Sequence, residues 1–190
     1  MKVNIHGEEK NIHTLWREGT NVKLIDQRIL PHKFEILTLK DHRDTAEAIK
    51  IMILRGAGAI GVAAGYGMAQ AALEAKDQTQ EEFEEYMNES ADRLRNTRPT
   101  AANLFHAIDR CLTAGSTGTV PERVEAIVAE GDLIAEEDLE ASQRIGEYGN
   151  TLIDDGFRIL THCNAGALAF LDYGTALSPI RHAHTDGKKV

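Results

Sequence analysis

The chain has 190 residues, of which 42% are hydrophobic and 27% charged, a balance that excludes a disordered or low-complexity protein. Its formal net charge of −9 argues against nonspecific binding to nucleic acid or to an anionic membrane, since both repel an acidic chain. A small phosphorylated ligand stays open, because it needs only a few local cations and helix N-termini.

Aromatic residues make up 5% of the chain, and alanine is plentiful in its middle, which favours closely packed helices over a β-sandwich. Cys111 and Cys163 lie far apart and are expected as reduced thiols of a cytoplasmic protein, not as a disulfide. No Cys/His spacing resembles a zinc site; His6, His13, His32 and His42 are scattered. The opening MKVNIHGEEK has no apolar run, so no signal peptide is expected. No stretch approaches the roughly 20 apolar residues of a membrane span.

Residues 1–42 read as a small antiparallel sheet. Val22, Leu24 and Ile25 lead into Asp26-Gln27, where a strand can simply end, and Phe34–Leu39 is a second strand. Trp16 is expected at the sheet's edge.

Residues 43–150 read as helical. Asp44 or Thr45 caps a helix running through Ile49 to Ile53, which stops at Arg55-Gly56-Ala57-Gly58. A second helix runs from near Ala59 to about Lys76. Gly61, Ala63, Ala64, Gly65, Gly67 and Ala69 give it almost no side-chain bulk. Each interior glycine costs roughly 1 kcal/mol against alanine, so close approach of another backbone is expected to offset the loss. Thr79–Thr97 is an acidic amphipathic helix. Pro99 is expected to start a further helix through Leu104, Ile108 and Cys111, the last a core position. After a loop, Pro121 opens one long helix, or a pair broken near Gly131, reaching about Gly149. Glu136-Glu137-Asp138 reads as a solvated face.

Residues 155–190 read as the start of a Rossmann-like domain. Arg158–His162 is an apolar strand, Asn164–Gly166 a turn, and Ala167–Ala169 the opening of a helix. A lone strand–turn–helix leaves apolar faces uncovered. The chain is therefore expected to be part of a longer protein; an ordinary single domain is the alternative. The expected fold is α-rich α+β: a small antiparallel sheet, a helical bundle, then the first unit of an incomplete α/β domain.

Three segments could carry chemistry. In Arg55-Gly56-Ala57-Gly58, glycines at a helix start let backbone N–H groups reach an anion, and Arg55 adds a bidentate donor; a tight helix–helix corner would look the same. Arg98 stands just before the Pro99 helix, as an anion ligand or a solvated arginine. Cys163 falls beyond the carboxyl end of its strand, ahead of a helix N-terminus that favours a thiolate. It is a reacting thiol or a small buried apolar residue. His162 is expected to pack.

The segments LIDQRILP, AEAIKIMILRGAGAIGVAAGYGMA, TRPTAANLFHAID, IAEEDLEASQRIGEYG and ILTHCNAGALA…DYGTAL, in this order, resemble the methylthioribose-1-phosphate isomerase family. That family is similar to subunits of translation initiation factor 2B and to ribose-1,5-bisphosphate isomerase. The resemblance covers nearly the whole chain from Val22 on and matches the N-terminal part of the family. It implies an aldose–ketose isomerase of methionine salvage. It assigns substrate binding to Arg55, Gly56, Ala57 and Arg98, and catalysis to Cys163. It implies no metal or organic cofactor, a sugar phosphate as the small-molecule partner, and a cytoplasmic homodimer when full length. The family's catalytic aspartate, a binding glutamine and an Asn-Lys pair find no position in this sequence, so the chain alone is expected to be inactive. An initiation-factor-like regulatory subunit and ribose-1,5-bisphosphate isomerase are the alternative readings. Gly58 replaces the family's usual proline, and His106 an aromatic residue. Pro179 is expected to kink the last helix.

Overall fold

The computed structural model describes residues 1–5 and 7–190; His6 lies outside them. Two small antiparallel sheets come first. Strands β1 (Lys2–Ile5) and β2 (Glu8–Asn11) form a hairpin that the sequence pattern did not announce. Strands β3 (Leu15–Glu18), β4 (Asn21–Ile25) and β5 (Ile36–Leu39) form a meander in the order β3-β4-β5. Leu15 faces Leu24 and Val22 faces Leu39 across the ladders. All four are buried, while Lys23 and Glu18 on the other pleat form an ion pair, so the period of two puts one face on the core. Trp16 lies on the edge strand β3 and bonds Glu18 through its indole N–H, 2.8 Å.

Six helices follow among the described residues: α1 (His42–Lys50), α2 (Ala57–Glu74), α3 (Gln80–Arg95), α4 (Ala102–Ala114), α5 (Val120–Asn150) and α6 (Leu177–Thr185). Helix α1 is capped by Asp41, whose carboxylate accepts from the N–H groups of Arg43 and Asp44, not by Asp44 or Thr45. It also ends earlier than its apolar pattern suggests. Met52 adopts a left-handed φ of 62°; its N–H bonds Ile49 and that of Ile53 bonds Ala48. This reversal is the one that usually carries glycine. It returns Ile53 and Leu54 to the core.

Helix α2 is buried on all sides from Gly58 to Ala72, as befits a helix apolar all round. Its small residues do admit other backbones. A Cβ on Gly131 of α5 would stand 2.9 Å from the carbonyl oxygen of Gly65. Helix α5 therefore runs unbroken past Gly131, which is a contact, not a hinge. Thr79 caps α3 with a reciprocal bond from Glu82.

Several expectations fail for physical reasons. Pro99 does not open α4. It sits in a turn closed by the Ala101 N–H on the Arg98 carbonyl, 3.0 Å, where its fixed φ suits the second turn position. Pro179 does not kink α6, because it falls in the first turn, where no N–H is needed. Arg158–His162 is not a strand, since none of the described residues pairs with its backbone. Leu160 is 96% exposed and His162 is exposed rather than packed. After them, Ala167–Ala169 is a single 3-10 turn, not the start of an α-helix.

Candidate active site

The segment that follows Cys163 has little regular structure, and its main chain is held by groups distant in sequence. The Thr14 hydroxyl donates to the Ala167 carbonyl, 2.8 Å, and the Gln27 amide donates to that of Leu168, 2.7 Å. The Thr14 N–H bonds the Leu171 carbonyl, 2.9 Å. The Leu171 N–H donates to the Asp138 carboxylate, 2.7 Å. These bonds satisfy backbone groups that a helix or strand would otherwise pair.

The 3-10 turn also docks on the start of α2. Gly56 has φ 107°, and a Cβ there would lie 2.3 Å from the Ala169 Cα. Both the conformation and the contact demand glycine. With no side-chain cap on α2, Ile60 makes the helix's first internal bond, to the Gly56 carbonyl. The preceding N–H groups are left at the positive end of the helix dipole.

Between these elements lies a cleft of about 720 Å³. Arg55, Gly56 and Ala57 form one part of its wall and Cys163 and Asn164 another; Leu30, Pro31, Leu168 and Phe170 supply apolar surface. Four of the five residues singled out from the sequence thus share one cavity. Cys163 is exposed, so it is not the small buried residue of the alternative reading. It holds a φ of 67°, a conformation costing about 1–3 kcal/mol for a residue with a side chain. The helix N-terminus near it is that of α2, contributed from more than a hundred positions earlier, and not of a helix following it directly. Among the described residues the Arg55 guanidinium reaches only the Gln27 carbonyl, at 3.5 Å, which leaves it available to a ligand.

Arg98 is not on the cleft wall. It is half-buried, and its Nη1 is sealed from solvent with no hydrogen-bond partner among the described residues. An unpaired buried donor of this kind costs about 1–3 kcal/mol.

Sequence reasoning missed three residues here. Gln27 looked like a strand end, yet it is buried and supports Leu168. Asp138 sat in a run of acids, yet only it turns inward, and burial pushes its carboxyl above the ordinary aspartate range against the opposing Leu171 N–H. Phe170 carried no motif. Asp26 is set apart from this group: the Arg28 guanidinium, 2.7 Å away, holds its carboxyl below the usual range.

The other thiol and the described histidines go elsewhere. Cys111 is in the core, where burial pushes its thiol to about 12. His42 is buried between Glu74, 3.2 Å, and the Ser90 hydroxyl, 3.3 Å. Among the described residues, no three His, Cys, Asp or Glu side chains converge on one point. No helix among them is long and apolar enough to cross a membrane.

The chain is similar to known proteins along nearly its full extent. The methylthioribose-1-phosphate isomerase of Acetivibrio thermocellus is 46% identical over 172 residues, covering 89% of this chain and 50% of that protein. The crystal structure of 5-methylthioribose 1-phosphate isomerase from Pyrococcus horikoshii superimposes with a TM-score of 0.89 at 42% identity, over 95% of this chain and 51% of that one. That of translation initiation factor eIF-2B, subunit delta, from A. fulgidus gives 0.84 at 41% identity, over 94% and 52%. The sheets and helices described above therefore build the fold of the matching half of those structures. The chain spans about half the length of the curated relatives it matches. The model of the initiation factor 2 subunit family matches residues 54–190, and the chain belongs to that family.

Proposed function

We propose that this chain forms the N-terminal part of an isomerase that converts 5-methylthioribose 1-phosphate to 5-methylthioribulose 1-phosphate in methionine salvage. The observation that supports this best is the meeting of Cys163 with Arg55, Gly56 and Ala57 on one cleft. Arg55 and the N–H groups opening α2 hold the phosphate. The unpaired Arg98 guanidinium is the second substrate ligand, reached when the segment carrying it closes on the anion. The apolar wall of Leu168 and Phe170 suits a methylthio group. Cys163 handles a proton as the ring opens. C2 then loses hydrogen and becomes the carbonyl, while C1 gains hydrogen, so one carbon is oxidised and its neighbour reduced. Orientation and preorganised charge supply much of the acceleration.

Residues 1–42 and 43–150 act in this reading as the sheet and helical parts of one domain. Residues 155–190 begin a Rossmann-like domain, in which Arg158–His162 becomes a strand only when further strands are supplied. The acid–base aspartate comes from that domain, and the whole protein is a cytoplasmic homodimer.

The test is turnover of 5-methylthioribose 1-phosphate followed by phosphorus NMR. The 190-residue chain alone is expected to be inactive. The chain joined to the C-terminal half of the Acetivibrio thermocellus isomerase is expected to be active, and Cys163→Ser in it to lose about 10²-fold or more in kcat. A folded joined protein with no turnover overturns the reading. Its tight binding to initiation factor 2 would instead favour a regulatory subunit, the reading prompted by the likeness to eIF-2B subunit delta.

A further inference from the structure

We propose that Asp138 of α5 is a positioning residue of the candidate site: its carboxylate fixes the Phe170–Leu171 main chain over the first turn of α2 and so sets the Phe170 wall of the cleft. The assignment of a substrate to that cleft rests on the proposed isomerase function; the geometry of the junction does not.

Three elements meet at one point. Asp138 Oδ2 accepts the Leu171 N–H at 2.7 Å. A Cβ on Gly58 would lie 2.4 Å from Asp138 Oδ1 and 2.3 Å from the Phe170 ring. Only the absence of a side chain at position 58 lets carboxylate and ring close over α2 together. Gly58 thus makes room for Phe170.

The charge environment shows that Asp138 is not there for an ion pair. His106, Arg110 and Glu137 line the same recess. Arg110 is committed to Glu130, at 2.6 Å, and to Glu137, and no cation among the described residues forms an ion pair with Asp138. A half-buried carboxylate with one N–H as its partner is costly to keep. Its neighbours Glu136 and Glu137 remain exposed. What Asp138 secures is the place of one backbone amide, and through it the adjoining Phe170.

The test reads hydrogen exchange of peptides spanning 163–175 in the 190-residue chain, and kcat and KM in the joined enzyme. Asp138→Ala is expected to speed exchange of that segment roughly tenfold or more, with α3 and α4 unchanged, whereas Asp138→Asn, which keeps an acceptor, stays within about twofold of wild type. In the joined enzyme Asp138→Ala raises KM more than it lowers kcat, and Asp138→Asn restores it. Wild-type exchange in Asp138→Ala overturns the assignment. So does an Asn variant as loose as the Ala variant. Where Asp138→Ala does not fold, Gly58→Ala displaces Phe170 from the same junction and must loosen the same segment; an unchanged segment refutes the proposal. Inactive wild-type joined enzyme with the exchange pattern intact counts against the isomerase reading, not against Asp138.

Discussion

The helical layer and the segment after Cys163 obtain their order in opposite ways. In α2 through α5 each backbone group is paired a turn away, and tertiary contact only has to bring small faces together, as at Gly65 and Gly131. In residues 163–175 much of the backbone is held by Thr14, Gln27 and Asp138, two turn residues beside the sheet and one residue of α5, all distant in sequence. The first arrangement is robust and says little about function. The second is held by few bonds, and it is the one that forms the cleft. Strain at Cys163 and a costly carboxylate at Asp138 both fall in it, where a site would concentrate them.

Five substitutions can break or sharpen that contrast. Gly131→Leu should have the largest effect, because its side chain meets the Gly65 backbone with no flexible neighbour to move. A loss of about 3 kcal/mol or more is expected in urea unfolding. Gln27→Leu should cost about 1–3 kcal/mol by stranding the Leu168 carbonyl. Its damage should concentrate in hydrogen exchange of 163–175 and spare α3 and α4.

The pH response should differ in sign between the two regions. Burial raises the Glu74 carboxyl, but bonds from the Tyr86 hydroxyl, 2.7 Å, and the His42 N–H, 3.1 Å, outweigh it and leave the group below its ordinary value. Its contribution is thus present above the unfolded carboxylate's titration and is lost as pH falls through the lowered one. Asp138 is raised by burial, so stability is lost as pH rises through it. Thermal melts should therefore show Glu74→Gln less stable than wild type at neutral pH and Asp138→Asn more stable. Melting points shifted the same way in both variants would contradict the contrast.

The smallest effect belongs to Leu160→Ser. With 96% of Leu160 exposed, the change should stay within about 0.5 kcal/mol. A large loss would mean that this segment is packed after all.

Much of the architecture was legible without coordinates. Alternation gave β4 and β5, and the amphipathic pattern of Thr79–Thr97 gave α3. The glycine and alanine content of α2 implied a close backbone neighbour without saying which. The resemblance pointed to Arg55, Gly56, Ala57, Arg98 and Cys163, and all but Arg98 line the cleft. The strand at Arg158–His162 failed because an apolar run states only a readiness to pair, and pairing needs a partner. Gln27, Asp138 and Phe170 were invisible because each looked like its surroundings.

By itself, then, the sequence determined which stretches are helical, which faces are apolar, and which residues have the chemistry to bind an anion or move a proton. Those properties depend on neighbours a few positions away, through periodicity, caps and side-chain type. Only the tertiary structure decided that α2, not a helix following Cys163, brings its N-terminus to that thiol, that α5 is continuous, and that Thr14, Gln27 and Asp138 hold the loop. Each of these is a pairing between distant groups, and no local pattern encodes which distant group will satisfy a buried backbone atom.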